Sequence, residues 1–148
     1  MIESRPALPT DFEDILDILR VCDLPCEDLT ARHMNSFFVA DQDGTLAGVV
    51  GLELLGESAL LRSLAVKPEH REHGVGAELI GLAESGAADR GVQGLYLLTT
   101  TAQGYFSKHS YQAIERDAAP PEIQATTEFA TLCPDTSVCM TKKLVSDI

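Results

Sequence analysis

Two glycines at the start of one helix mark the part of this sequence that is best suited to bind an anion. In "RSLAVKPEHREHGVGAELI", residues 62–80, a strand-forming run ends before Pro68 and a helical pattern begins near Gly76. The first turn of a helix presents free N–H groups and a partial positive charge. Gly74 and Gly76 remove side chains that would keep phosphate oxygens from those groups, and Arg71 adds a nearby cation. The alternative is a tight loop in which the glycines serve only the backbone.

An arginine and a glutamate on adjacent strands form a second candidate for chemistry. A two-residue turn at Gly56–Glu57 would pair Leu55 with Ser58, which brings Arg62 within diagonal reach of Glu53 on one face. A guanidinium there can bind a carboxylate or a similar oxyanion through two N–H groups. The alternative is a structural or surface ion pair, which contributes little to stability when it is exposed.

The elements that position these residues form a mixed α/β pattern. "IESRPA" predicts a first strand, and Thr10 with Glu13 has the spacing of a capping box at the start of a helix. After "LPCEDLT" and a second short helix, residues 35–66 predict three strands joined by turns at Asp43–Gly44 and Gly56–Glu57. A helix from Gly76 to Arg90 follows, closed by Gly91.

The remaining segments complete the predicted order of elements. "GLYLLTT" predicts a buried strand, "AQGYFSKHS" a short helix and "YQAIER" another strand. "PPEIQATTEFATLCP" predicts a helical excursion that begins at the two prolines, and "SVCMTKKL" predicts the last strand. The order is therefore β-α-α-β-β-β-α-β-α-β-(α)-β, which is typical of a mixed α/β sheet.

Composition excludes several classes of partner. The 148 residues fit a single domain, 1–148, and no apolar stretch approaches the ~20 residues that span a bilayer. A net charge of −12, from 11 basic and 23 acidic residues, argues against a nucleic-acid or anionic membrane surface. The acidic N-terminal segment does not resemble a signal peptide, so we expect a cytoplasmic protein. The four cysteines form no CxxC pair, which predicts neither a disulfide nor a metal site.

The junction also carries a family resemblance. "REHGVG" fits the R/Q-x-x-G-x-G/A pyrophosphate loop of the GNAT acetyltransferase superfamily, and "LAVKPEH" resembles the strand and proline that precede it. "YFSKHSY" resembles the family's Y/F-x-x-x-G-F segment, and the order of elements agrees along nearly the whole chain. The resemblance implies an α/β GNAT fold, whose mixed, mostly antiparallel central sheet splays between strands 4 and 5, with helices on both faces.

The resemblance implies acetyl-CoA as cosubstrate, with no metal. Its pyrophosphate would bind the amides from Glu72 to Ala77, and its pantetheine arm would pair with the backbone of residues 64–66. A backbone N–H near Val66 would stabilise the tetrahedral oxyanion. The implied cofactor-binding residues are Leu64, Ala65, Val66, Arg71, Glu72, His73, Gly74, Val75, Gly76, Ala77 and Phe106.

The catalytic residues depart from the family's pattern. Many members use a tyrosine to protonate the departing thiolate, but Phe106 stands at that position and Tyr105 is one residue away, about 100° around the helix. We therefore take Tyr105 as a hypothesis for the acid, with water as the alternative. For the base, Glu53, Glu128 and His33 are the candidates, and Glu53 is the residue that we predict.

The acceptor is predicted to be a small amine, bound by Arg62 and Glu128. "LLRSLAV", "LYLLTTTA" and "ATTEFATLCPDTSVCM" resemble GNAT proteins associated with arsenic resistance, which implies a glutamate-like arsinic or phosphinic amino acid as acceptor. Two alternatives stay open: a glutamate N-acetyltransferase of arginine biosynthesis, and a non-catalytic acetyl-CoA-binding module. Many GNAT proteins are homodimers, so the resemblance leaves a homodimer open as well.

Overall fold

The computed structural model describes residues 2–71, 74–133 and 136–144, and these form one seven-stranded sheet flanked by helices. The strands are β1 Ile2–Pro6, β2 Phe37–Gln42, β3 Thr45–Leu55, β4 Ser58–Val66, β5 Gly94–Thr99, β6 Gln112–Ile114 and β7 Val138–Lys143. The α-helices are α1 Phe12–Val21, α2 Val75–Asp89, α3 Gln103–Lys108 and α4 Pro121–Gln124. Shorter turns lie at Pro9–Asp11, Ala31–Ser36, Pro68–His70, Arg116–Ala118 and Glu128–Leu132, the last of which is a π turn. None of the helices described is long and apolar enough to cross a membrane.

The sheet opens between its two central strands. Its order is β1-β2-β3-β4-β5-β7-β6, and β4 with β5 is its parallel pair among the described strands. These two strands pair only from Ser58–Gly94 to Leu60–Tyr96, so their carboxyl-terminal parts separate. The prediction of a mostly antiparallel sheet that splays between strands 4 and 5 is confirmed. A cleft forms where the backbone groups of the two strands no longer bond to each other.

A β-bulge lies at the point where the sheet splays. Gly51 pairs with Arg62 and Val49 with Ala65, so two residues of β4 lie opposite Val50. Ser63 occupies the left-handed region with φ of 59°, as the extra residue of a bulge can. The bulge reverses the alternation of side chains along β4. Even-numbered residues before it and odd-numbered ones after it therefore share one face of the sheet.

Helices cover both faces, as the resemblance implies. Helix α1 buries Ile15 and Leu19 against Phe37 and Val39, whereas α2 buries Leu79 and its neighbours against the opposite face. Helix α4 packs Ile123 onto Leu60, on the same face as α1. Gly91 ends α2 with φ of 84°, which confirms the predicted C-terminal glycine. Helices therefore pack against both faces of the sheet next to the cleft.

The start of α1 corrects one expectation. The helix begins at Phe12 with Asp11 as its N-cap residue, and no side chain caps it, so Thr10 does not serve as the cap. Asp11 instead accepts two hydrogen bonds from the Arg5 guanidinium, at 2.8 and 3.1 Å, and one from the Leu8 N–H at 2.7 Å. The tertiary ion pair with β1 outweighs the local capping pattern because it is charge-assisted and bidentate.

The segment predicted as one helical excursion consists of two short pieces, α4 and the π turn. The Thr126 hydroxyl donates to the Ile123 carbonyl at 2.7 Å and accepts from the Phe129 N–H at 3.4 Å. A side chain that takes over backbone bonds in this way interrupts a helix. The break directs Glu128 into the protein interior.

Candidate active site

A cavity of about 880 Å³ fills the cleft between β4 and β5. It runs from the start of α2 at Gly74 to the π turn at Glu128. It brings together most of the residues that the sequence predicted: Arg62, Leu64, Ala65, Val66, Arg71, Gly74, Val75, Gly76, Ala77, Tyr105, Phe106 and Glu128. Glu53 does not line it, and Glu72 and His73 lie outside the described residues. We refer to the α2 side as the donor end and to the Glu128 side as the acceptor end.

The donor end is built as an anion site requires. Gly74 caps α2 with φ of 78°, a conformation that a side chain disfavours. The next residues, Val75, Gly76 and Ala77, belong to the first turn, whose N–H groups have no partner within the helix. A Cβ on Gly76 would overlap the Tyr105 hydroxyl. The two glycines therefore serve different purposes, one for backbone conformation and the other for space.

Arg71 lies at the rim of the donor end and contacts β4. Its Nε donates to the Val66 carbonyl at 2.9 Å, and its Nη2 lies 3.6 Å from the Cys22 sulfur. Cys22 is half-buried at the end of α1 and lines the cavity. No feature of the sequence singles out Cys22 for this position.

The two aromatic residues of α3 point in different directions. Phe106 is buried and packs edge-on against Tyr111, with ring centroids 5.6 Å apart. Tyr105 is 39% exposed, and its hydroxyl lies beside the first turn of α2. Partial burial raises the pKa of Tyr105, so its hydroxyl keeps its proton at neutral pH. Both side chains line the cavity, and Tyr105 does so at the donor end.

At the acceptor end, Arg62 sits among three carboxylates. Its side chain is fully buried, and it forms ion pairs with Asp28, Glu53 and Glu128 at 2.6, 2.6 and 3.0 Å. Asp28 binds it bidentately, through Nη1 at 2.6 Å and Nη2 at 2.8 Å. The Arg62–Glu53 contact predicted from the hairpin register is thus present. We call these four residues the acid cluster.

The pKa values of Asp28 and Glu128, two carboxyl groups of the acid cluster, are shifted in opposite directions. Burial opposes ionisation of Asp28, but hydrogen bonds and charge from Arg62 hold the pKa of Asp28 below its usual range. Burial raises the pKa of Glu128 to about 7, and the negative charges of Asp28 and Glu53 add to this effect against the attraction of Arg62. The carboxylates more than offset the burial of Arg62, so its pKa lies above its ordinary value. The pKa of Glu128 therefore lies near neutral pH, unlike that of Asp28.

Cys133 and Ser137 are two further polar groups that line the cavity. The Cys133 sulfur lies 3.7 Å from the Glu128 Oε1 atom, and burial followed by the Glu128 charge raises the pKa of Cys133 to about 12. Cys133 is therefore a neutral thiol and not a nucleophile at ordinary pH. The Ser137 hydroxyl is buried, lines the same cavity and has no hydrogen-bond partner. The sequence did not single out Ser137.

His33 does not take part in this site. Its Nδ1 accepts from the Thr30 N–H at 3.0 Å at the start of the turn that precedes β2, and His33 does not line the cavity. This is the capping role that a lone histidine commonly has. Among the described residues, no group of three or more His, Cys, Asp or Glu side chains has the arrangement of a metal site.

Comparison with known proteins identifies the relatives of this chain. Residues 5–114 match the acetyltransferase (GNAT) family. An uncharacterised N-acetyltransferase of Chlorobaculum tepidum is 33% identical over 109 residues, which are 73% of this chain and 68% of that protein. An amino-acid acetyltransferase of Aeromonas salmonicida is 26% identical over 134 residues, which are 82% of this chain but 29% of the relative.

Solved structures share the fold. N-acetylglutamate synthase from Neisseria gonorrhoeae, complexed with coenzyme A and N-acetyl-glutamate, superposes with a TM-score of 0.86 at 19% identity. The match covers 99% of this chain and 36% of that one. The chain thus spans about a third of the length of this synthase and of the Aeromonas relative.

Proposed function

The chain belongs to the GNAT acetyltransferase family, and on that premise we propose that it transfers the acetyl group of acetyl-CoA to the amine of a small amino-acid-like acceptor. The observation that carries this proposal is one continuous cavity. It joins a helix start that suits an anion to a buried carboxylate that suits an amine. The two ends match the two substrates of such a reaction.

Acetyl-CoA is proposed to bind at the donor end. Its pyrophosphate would lie on the free N–H groups that follow Gly74, with Arg71 turned from the Val66 carbonyl towards it. Its pantetheine arm would pair with β4 at residues 64–66, where β5 has moved away. The thioester would then lie next to the bulge at Ser63, between the two ends of the cavity.

The proposed reaction is direct attack of the acceptor on the thioester. The neutral nitrogen forms a bond to the carbonyl carbon, and the resulting oxyanion collapses with cleavage of the carbon–sulfur bond. Before this attack the acceptor ammonium gives one proton to a base; CoA then leaves as a thiolate, and the nitrogen loses its second proton as the amide forms, which balances protonation of the thiolate. Tyr105 is the candidate that protonates the thiolate, and a water molecule is its alternative.

Two amino-acid acceptors deserve direct comparison. The names of the relatives, an amino-acid acetyltransferase and an N-acetylglutamate synthase, support glutamate. The segment "ATTEFATLCPDTSVCM" supports a glutamate-like arsinic or phosphinic amino acid, with a role in arsenic resistance. For either acceptor, Arg62 can bind the acidic group only if one carboxylate of the acid cluster moves away from the guanidinium.

The test is thiol release from acetyl-CoA against glutamate, arsinothricin-type and phosphinothricin-type amines. We expect saturable release with at least one of them. Tight acetyl-CoA binding without release across the panel would instead favour the non-catalytic binding module.

Matched glycine variants test the donor site separately by calorimetry. Gly74→Ala is expected to weaken acetyl-CoA binding about tenfold, because its left-handed backbone disfavours a side chain. Gly81→Ala is the control, since a Cβ at this position inside α2 meets nothing within 4 Å. Equal affinities for the two variants would contradict the proposed pyrophosphate site.

A further inference from the structure

Glu128 binds Arg62 through one carboxylate oxygen, and its other oxygen accepts a hydrogen bond from the Cys133 thiol, a weak donor that a ligand can replace. Its Oε2 pairs with the Arg62 Nε at 3.0 Å, while its Oε1 is 3.7 Å from the neutral Cys133 thiol. The residue is 5% exposed, and it lines the cavity at the acceptor end. Arg62 thus fixes the orientation of the carboxylate without occupying both of its oxygens.

Ser137 provides independent evidence for a ligand at this point. Its hydroxyl is buried without a hydrogen-bond partner, although buried polar groups almost always have one. It lines the same cavity as Glu128. A polar group of the acceptor would satisfy it.

The charge balance around Glu128 favours a cation as that group. Glu128 faces Arg62 from β4, Glu53 from β3 and Asp28 from the segment after α1. Three carboxylates against one guanidinium leave a surplus of negative charge. Arg116 lies next to the π turn, where its Nη2 donates to the Phe129 carbonyl at 2.7 Å, and its charge opposes the rise that burial causes in the pKa of Cys133. An ammonium group next to Oε1 would offset the surplus.

We propose that the acceptor ammonium binds between Glu128 Oε1 and the Ser137 hydroxyl, and that Glu128 takes its proton before the nitrogen attacks the thioester. This inference rests on the proposed function. Arg62 is a positioning residue in this scheme, and Glu53 and Asp28 hold Arg62 in turn. The assignment moves the base from Glu53, which the sequence suggested, to Glu128.

The proton balance of this step is simple. The ammonium N–H bond breaks, its electron pair stays on nitrogen, and the proton moves to Oε1 to give a neutral carboxylic acid. The Glu128 pKa of about 7 suits this exchange, because an amine of pKa about 8 to 10 lies within reach of it. After acetyl transfer, the acid returns its proton to solvent through the cavity.

The first test compares two matched variants of the acid cluster. Glu128→Gln and Glu53→Gln each remove one carboxylate from the same guanidinium. With the amine that gives release, we expect Glu128→Gln to lower kcat/KM at least about a hundredfold and to abolish its rise through neutral pH. Glu53→Gln should keep that rise, with a smaller loss. The reverse pattern, or equal losses, would overturn the assignment.

Ser137→Ala provides a second test that does not endanger the fold, since the hydroxyl has no partner to lose. It should raise the KM for the amine about tenfold and leave acetyl-CoA affinity unchanged. An unchanged KM contradicts the ammonium site.

A measurement without turnover separates this inference from the proposed function. The Glu128 carboxyl carbon resonance, assigned against Glu128→Gln, is expected to titrate near neutral pH and to shift when methylammonium is added. If no amine supports thiol release but this shift is observed, the proposed function fails and the ammonium site stands. If release occurs and methylammonium causes no shift, the ammonium site fails alone.

Discussion

Replacing Glu128 by glutamine should change how the stability of the protein depends on pH. Glu128 is buried beside two other carboxylates, and its folded-state pKa of about 7 lies above the ordinary value of 4.5 for a glutamate. A group whose folded pKa is raised binds its proton more tightly in the folded state than in the unfolded state. Stability therefore falls as the pH rises between these two values. Glutamine keeps nearly the same shape and has no proton to lose.

The size of the effect follows from the pKa difference. Below about pH 4.5 both states hold the proton, and Glu128 contributes no pH dependence. Between about 4.5 and 7 the unfolded chain releases the proton that the folded chain keeps. Above about 7 both states are ionised, and the folded state is disfavoured by about 3 kcal/mol, at 1.36 kcal/mol per pH unit. The side chain is only 6% exposed, so solvent screening reduces this figure little.

Urea unfolding at a series of pH values from 4.5 to 8.5 measures this difference. The free energy of unfolding of Glu128→Gln minus that of the unaltered protein should rise by about 3 kcal/mol across the series. Taking the difference removes the titration of all groups that the two proteins share. Glu13→Gln removes the same charge from an exposed position on α1 and is the control. Parallel stability curves for Glu128→Gln and the unaltered protein would refute the reasoning.

Four further outcomes follow from the cavity and the acid cluster. Gly76→Ala should weaken acetyl-CoA binding about tenfold in calorimetry, and adding Tyr105→Phe should restore it, because the new Cβ meets the Tyr105 hydroxyl. Tyr105→Phe alone should lower kcat, and an unchanged kcat removes Tyr105 from the mechanism. Arg62→Met should lose about 3–5 kcal/mol in urea unfolding at pH 8, with part recovered at pH 5 as Glu128 becomes protonated. Ser63→Val should be less stable than Ser63→Gly by about 1–2 kcal/mol, because φ is 59° there, and equal stabilities would argue against strain at the bulge.

The structure of the middle of the chain was predictable because turn residues close together in sequence determine how its strands pair. Asp43 and Gly44 both have positive φ, as a two-residue hairpin turn requires. Leu55 pairs with Ser58 across the next turn, and this pairing predicted that Glu53 and Arg62 meet. The glycines at the start of α2 could likewise be interpreted from the residues next to them in the sequence. Each of these features depends on residues close together in sequence.

The rest of the site depends on contacts that a single sequence does not show. Asp28 comes from a turn with no distinctive pattern, yet it binds Arg62 bidentately. The bulge at Ser63 has no glycine or asparagine to mark it, although it sets the face that Arg62 occupies. Ser137 was indistinguishable from any serine at the start of a strand. Only the packed structure shows that its hydroxyl is buried without a partner.

The acid cluster draws its members from four separate segments, whereas most of the residues proposed to bind acetyl-CoA lie in one continuous stretch, residues 64–77. Contacts between residues close in sequence form early in folding, because they close short loops. The donor half should therefore organise first and the acceptor half last. In native-state hydrogen exchange we expect the π turn to open at lower free energy than α2. Because the two sites are built from different segments, the loops that carry Asp28 and Glu128 can change in evolution without altering the residues that bind the acetyl donor. Acceptor preference can therefore change while acetyl-CoA binding is kept.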